Sequence, residues 1–247
     1  MTFPKRHLSL AAVAALPLLA ACFEQVDSSD VTTDGLHADV RLSSLDGVTT
    51  DVAVTLAVGG ASGTRVALTN GDRLTAAAMG RVVDLTRRED LFGNPTYLGT
   101  LPHAGESVAF VVDYLRGDRS TEAQSCGNTS AVGSYALMAK PFDLSPMVSS
   151  ARLGQPVTVA WSNRSNEPME IRVDGSCVWG GGDRIADGGA YAIPGAWLAP
   201  ADAKNPSACS VRVVARRCSA GRVSPAFGEG GRVEACQERS LAFRVAP

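Results

Sequence analysis

The sequence predicts an all-β protein: two tandem antiparallel β-sandwich domains behind an export signal and a flexible tether. Three observations carry that prediction. Apolar residues alternate with polar ones in run after run, the period-two signature of half-buried strands. Gly, Pro, Asn and Asp interrupt these runs at roughly ten-residue spacing, which is the rhythm of a sandwich. Almost no stretch after the first 21 residues keeps a helical period.

The N-terminal segment has three parts: a basic start with Lys5, Arg6 and His7, an apolar run from Leu8 to Leu19, and the small residues Ala20 and Ala21. This is the pattern of an export signal. The apolar run is too short to span a bilayer core of roughly 30 Å, which takes about 20 helical residues. Leu19-Ala20-Ala21-Cys22 then resembles the lipobox of bacterial lipoprotein precursors. That resemblance implies removal of residues 1–21, a diacylglycerol on the Cys22 thiol and acylation of the new amino terminus. Two or three chains, at about 0.8 kcal/mol per buried methylene, anchor far more firmly than a single myristoyl group. Lipoproteins retained in the inner membrane commonly carry Asp after the cysteine; the Phe23 found here implies the outer membrane.

Removing residues 1–21 leaves 226 residues and takes away Lys5 and Arg6 but no acid, so the formal charge moves from −2 to −4. That length is most simply two domains of about 100 residues, although a single all-β domain can reach it. Beyond the signal no apolar run is long enough for a membrane-spanning helix. Residues 22–35 are polar, acidic and aperiodic, and suit a tether of roughly 20 Å reach.

Residues 36–146 form the first expected domain. "ADVRLSSL" and "DVAVTLAV" place Val40 and Leu42, then Val52, Val54, Leu56 and Val58, on one face. Asn70-Gly71 between two alternating runs is the strongest hairpin signal, because type I′ turns need positive φ at both positions. "GRVVDLT", "PTYLGTL", "SVAFVVDYL" and "SYALMAKPF" supply further strands. The prolines of residues 140–156 mark the expected boundary. Residues 147–247 then make a second domain from "PVTVAWSN", "MEIRVDGSC", "AYAIPGAWL", "CSVRVVARRC" and "ERSLAFRV". Trp161 on an early strand, followed by cysteine-bearing strands, resembles immunoglobulin-like and fibronectin-like sandwiches in general, without the cysteine spacing of antibody domains.

Five cysteines follow Cys22: Cys126, Cys177, Cys209, Cys218 and Cys236. An oxidising compartment permits pairing, and the sequence alone leaves the connectivity open. The crowding of four between residues 177 and 236 favours Cys177 with Cys209 and Cys218 with Cys236, leaving Cys126 as the free thiol.

The residues that could carry chemistry are few. After cleavage only His37 and His103 remain, 66 positions apart and both expected in loops, so a catalytic triad or a histidine-rich metal site has little to draw on. No nucleophile elbow, zinc-binding H-E-x-x-H, phosphate-binding loop or C-x-x-C is present, and Ser62 in "GGASG" has the wrong spacing. "WGGGDRIADGG", with Asp183 and Asp187, lacks the oxygen series that calcium needs and reads as a flexible loop. Of the tryptophans, Trp161 is expected in the core and Trp179 exposed, with a sugar platform including Trp197 as the lesser reading. No metal and no cofactor are expected. From Lys204 onward eight bases face three acids. Within this stretch Arg212, Arg216, Arg222 and Arg232 form a candidate patch for lipopolysaccharide, peptidoglycan or an acidic envelope protein. Nucleic acid is not an expected partner. The functional expectation is a non-catalytic binding or scaffolding lipoprotein of the outer membrane, held there by its N-terminal lipid. The alternative is an envelope hydrolase using Asp183 or Asp187 in a loop-lined cleft.

Overall fold

In the computed structural model the described residues are 25–103, 108–117, 131–146 and 150–247. Period-two burial writes the strands. In chain order they are β1 (Val26–Asp27), β2 (Leu36–Ser44), β3 (Thr49–Val58), β4 (Thr64–Ala67), β5 (Arg73–Ala78) and β6 (Arg81–Asp84). Next come β7 (Thr86–Glu89), β8 (Pro95–Pro102), β9 (Ala109–Leu115), β10 (Ala131–Leu137), β11 (Leu144–Pro146) and β12 (Ser150–Arg152). The last six are β13 (Val157–Trp161), β14 (Met169–Gly175), β15 (Gly181–Ile185), β16 (Ala190–Ile193), β17 (Cys209–Ala220) and β18 (Gly231–Ala246). Among the described residues no helix is long and apolar enough to cross a membrane.

Among the described residues three sheets enclose two cores. One long sheet runs β1-β4-β3-β2-β18-β17-β14-β15, with β8 also on β3, β7 on β8 and β12 on β18. A four-stranded sheet, β10-β9-β5-β6, closes the first core against it, and a three-stranded sheet, β11-β13-β16, closes the second. Inward residues such as Leu36, Val40, Val54, Phe110 and Tyr114 fill the first core; Met169, Ile171, Val213 and Phe243 are among those in the second. Each such aliphatic or aromatic side chain contributes about 1.5–3 kcal/mol when fully buried.

The hairpin β17–β18 belongs to both cores. Its register is unbroken from Cys209↔Val245 to Ala220↔Glu234, and the first half of β18 also pairs in parallel with β2 from Gly231↔Ala38 to Gln237↔Ser44. Val233 and Ala235 lie in the first core, Phe243 and Val245 in the second. All four are odd-numbered, so one face of one strand serves both cores. The opposing sheets divide between Leu137 and Leu144, not at residues 146 and 147, since β11 already belongs to the second, and the chain does not divide at all: Val223, Ala226, Phe227, Val233 and Ala235 return to the first core.

Two further expectations change. The described part of the tether, residues 25–35, is docked. β1 pairs with β4, Ser28 is fully buried, and Arg116 donates to Ser28 O at 2.7 Å, to Val31 O at 2.5 Å and to Thr33 Oγ1 at 3.2 Å. Ser28 and Thr33 find fixed partners there, while Gln25, Asp27, Asp30, Thr32 and Asp34 stay exposed. The Asn70-Gly71 turn has the expected positive φ angles, 53° and 81°, but joins strands of different sheets, since β4 pairs with β3 and β5 pairs with β6 and β9. It is a corner between layers. Asp72 locks it, accepting from Gly117 N at 2.8 Å, Tyr114 OH at 2.8 Å and Arg116 Nη1 at 3.1 Å. The two-residue hairpin turn nearby is Met79-Gly80, φ 51° and 74°, between Ala78 and its register partner Arg81.

Candidate functional site

The polar groups with the most developed geometry lie where the two cores meet. β17 alternates Val211, Val213 and Ala215 inward, and the next inward position is Arg217, fully buried. Its Nη2 donates to Asp187 Oδ2 at 2.7 Å and its Nη1 to Lys140 O at 2.7 Å. Asp187 also accepts from Trp161 Nε1 at 2.5 Å and from the Ser165 backbone N–H at 2.6 Å. Burial alone would raise this carboxyl, but the bonds from Trp161 and Ser165 and the charge of Arg217 outweigh it and hold Asp187 below the usual carboxylate range. Both of its oxygens accept from fixed donors, so it is a structural anion.

Phe142 plugs the same junction. It is 1% exposed, and two guanidinium groups stack on its ring, Arg217 at 4.8 Å and Arg239 at 5.6 Å from the centroid. Arg239 in turn donates to Ser44 O at 3.1 Å and to Gln237 Oε1 at 3.0 Å. The proline-rich segment read as a boundary thus carries an aromatic anchor that pins it to the shared hairpin.

On the first-core side of this junction sit Ser44, Thr50, His103 and Gln237, all buried. His103 follows β8 directly, outside the strand as expected, but is buried: its backbone N–H donates to Val48 O at 2.8 Å and its Nε2 lies 3.1 Å from Ser44 Oγ. Burial pushes its pKa below the ordinary value, against an opposing pull from Asp46, so the ring is neutral. His37, expected in a loop, is the second residue of strand β2 and half-buried, with Nδ1 3.0 Å from Glu229 O.

The other sequence-selected residues are dispersed. Cys22 and Cys126 lie outside the described residues. The disulfides are Cys177–Cys209 and Cys218–Cys236, the latter joining directly opposed residues of β17 and β18. Cys218, Glu234 and Cys236 bring three ligand atoms within 4.8 Å of one another, but the two sulfurs are bonded to each other. Of the arginine patch, Arg216 meets Glu234 at 3.0 Å and Glu170 at 3.8 Å, and Arg232 lies 3.8 Å from Asp39. Arg212 stands opposite Asp174 in the ladder, and Arg222 is exposed in the loop after β17. The outer face is therefore a weave of both signs, not a block of positive charge.

The segment expected as a flexible glycine loop forms strand β15, paired with β14 from Met169↔Ile185 to Val173↔Gly181. Gly181 is required there because a Cβ would come within 2.5 Å of the Trp197 ring. Trp197 is packed against the second core, Trp161 is buried and Trp179 is 73% exposed, so the three do not line one platform. Asp183 is exposed on β15 with Tyr191 OH at 3.2 Å, whereas Asp187 is consumed by Arg217. An open groove is lined by Arg152, Gln155, Arg244 and their neighbours, with no Asp, Glu or His side chain.

No family model matches the chain. No curated protein matches either. Among solved structures, a crystal structure of chicken CNTN1 FN1-FN3 domains is similar over 86% of this chain and 69% of that one, at 13% identity and a TM-score of 0.30. Similarity of that size carries no argument about function. The all-β architecture rests on the strands themselves.

Arg217, Arg239 and Phe142 are the residues that sequence reading missed. The signal for Arg217 was present: period two from Val211 through Val213 and Ala215 lands on it, while Arg212 and Arg216 fall on the other face.

Proposed function

We propose that this protein is a lipid-anchored, non-catalytic scaffold of the bacterial envelope, attached to the outer membrane through Cys22 and presenting a jointed pair of sandwiches to another envelope component. The observation that supports it best is the use made of the chemistry-bearing side chains. Asp187 is held by three donors, His103 is buried and neutral, and the groove beside Arg152 and Arg244 has no Asp, Glu or His side chain. What faces solvent is a charge-alternating sheet face carrying Arg212, Arg216, Arg232, Glu170 and Glu234, suited to complementary contact with a protein, peptidoglycan or lipopolysaccharide.

Cross-linking in intact cells followed by mass spectrometry tests the scaffold reading: reproducible envelope partners are expected, and their absence would count against it. Cys22→Ala tests the anchor. It should release the protein from membranes and abolish acyl labelling; unchanged membrane partition would refute attachment at this residue.

A further inference from the structure

The four-stranded sheet covers the first core with one face and turns the other to solvent. Phe110, Val112 and Tyr114 of β9, Leu74 and Ala76 of β5 and Val132 of β10 point into the core. By period two the residues between them point out. The register sets these outward residues in rows across the sheet. In one row Tyr135 stands opposite Val111, Val111 opposite Ala77, and Ala77 opposite Val82. Arg222 extends that row past β10, because its backbone N–H donates to Tyr135 O at 2.7 Å and its O accepts from Tyr135 N at 2.9 Å. In the next row Asp113 stands opposite Thr75, and Thr75 opposite Asp84. On the other side of the first row Leu137 stands opposite Ala109.

A lone exposed hydrophobe needs no explanation, but Met79, Val82, Val111, Tyr135 and Leu137 are 37–66% exposed and all belong to this sheet or its β5–β6 turn. A patch of that kind marks a contact surface. The sheet presents its face and not its outer edge, since Arg222 already occupies both backbone groups of Tyr135 on β10. The charges identify the occupant. Arg222 stands at one edge and Asp84 at the other, and neither is in an ion pair among the described residues. An anionic lipid surface would meet Asp84 and Asp113 with like charge. A second copy, turned about a two-fold axis that runs along the strands between β9 and β5, meets opposite charge at both edges. That axis lays β10 over the partner's β6 and β9 over its β5. Tyr135 then faces Val82, Val111 faces the smaller Ala77, and Arg222 lies diagonal to Asp84. Sheets packed in this way stand about 10 Å apart, a gap filled by side chains of both.

We propose that two copies of the chain pack through this face as a weak, reversible dimer. Neither lipid on Cys22 nor an envelope partner is required for it. With about 3.4 Å per residue and about 4.8 Å between strands, the length of β9 and the row from Arg222 to Val82 bound a face of at most about 600 Å². A standard stable interface takes about 800 Å² from each partner, so the association is of the transient kind.

The test uses the full chain in intact cells, with the photoreactive residue benzoylphenylalanine in place of Val82. Irradiation is expected to yield a species of twice the chain mass, its crosslink joining position 82 of one copy to β10 of the other. Arg222→Glu and Asp84→Arg should each lower that yield severalfold, since the two-fold repeats the like-charge contact, and the double variant should restore it. All three positions are exposed in the single chain, and retention of both disulfides checks that each variant folds. A doubled species whose crosslink lands elsewhere, or whose yield ignores both charge reversals, overturns the dimer. Irradiation that gives no crosslink, or one to lipid only, overturns it as well. A crosslink only to another envelope protein overturns the dimer and leaves the scaffold reading standing.

Discussion

Arg217 and Asp187 have side chains 0% and 1% exposed, so the pair stands in low dielectric with little help from water. Breaking such a pair leaves an uncompensated buried charge, which typically costs about 3–5 kcal/mol. Asp187→Ala is therefore expected to lower stability to urea by that order, whereas adding Arg217→Met to it should recover much of the loss. A single variant that unfolds at the wild-type midpoint would contradict the assignment. His103 provides a pH dependence of defined sign. A free histidine titrates near 6.5, and burial depresses the folded value, so below about pH 6.5 the unfolded chain binds the proton more readily. Stability contributed by neutral His103 is complete above that pH and is lost as the pH falls through the folded value. The thermal midpoint should drop between pH 7 and pH 5, and His103→Gln should flatten the drop; an equal slope in both proteins would exclude His103 as its source. Both residues were poorly legible beforehand. Period two placed Arg217 inward, but a charged residue on an inward position is accepted only once its partner is known, and Asp187 is 30 positions away.

At the scale of elements, alternation located the longer strands and missed the short β1, β7, β11, β12 and β15, and the connections between strands were harder still to read. Asn70-Gly71 fixes local backbone geometry, but pairing partners are chosen by the burial of whole strands, and here the chain crosses to the other sheet. The glycines of residues 180–182 suggested a loop because composition does not report that Trp197 covers Gly181. The cysteines were more readable, since four of them crowd between residues 177 and 236 and the preferred pairs are those present. The N-terminal segment was misjudged for a related reason: its polarity imitates a linker, and its fixed partners come mainly from Arg116, more than 80 positions onward. Arg116→Ala is expected to raise amide hydrogen exchange across residues 25–35 by at least tenfold while the strands of the second core stay protected. Unaltered exchange in that segment would show that β1 pairing alone holds it.

The whole molecule is organised by the β17–β18 hairpin. Two independent sandwiches would unfold separately, but here the second half of the sequence supplies Phe227, Val233 and Ala235 to the first core. One cooperative transition is expected in calorimetry, with van't Hoff and calorimetric enthalpies in agreement. A fragment of residues 22–146 should lack dispersed amide resonances, because it leaves β2 without its neighbour on one edge and the first core open. Two resolved transitions, or a folded fragment, would restore the division into separable domains. The parallel pairing of β2 with β18 also bears on force. A membrane attachment would hold β2 from its N-terminal end, and a partner gripping the C-terminal half would draw β18 from its C-terminal end. Opposed pulls on parallel strands act along their axes, so the ladder from Ala38 to Ser44 is sheared as a unit instead of being unzipped one bond at a time. The joint that merges the two halves is thereby oriented to resist tension applied between the N-terminal end of β2 and the C-terminal end of β18.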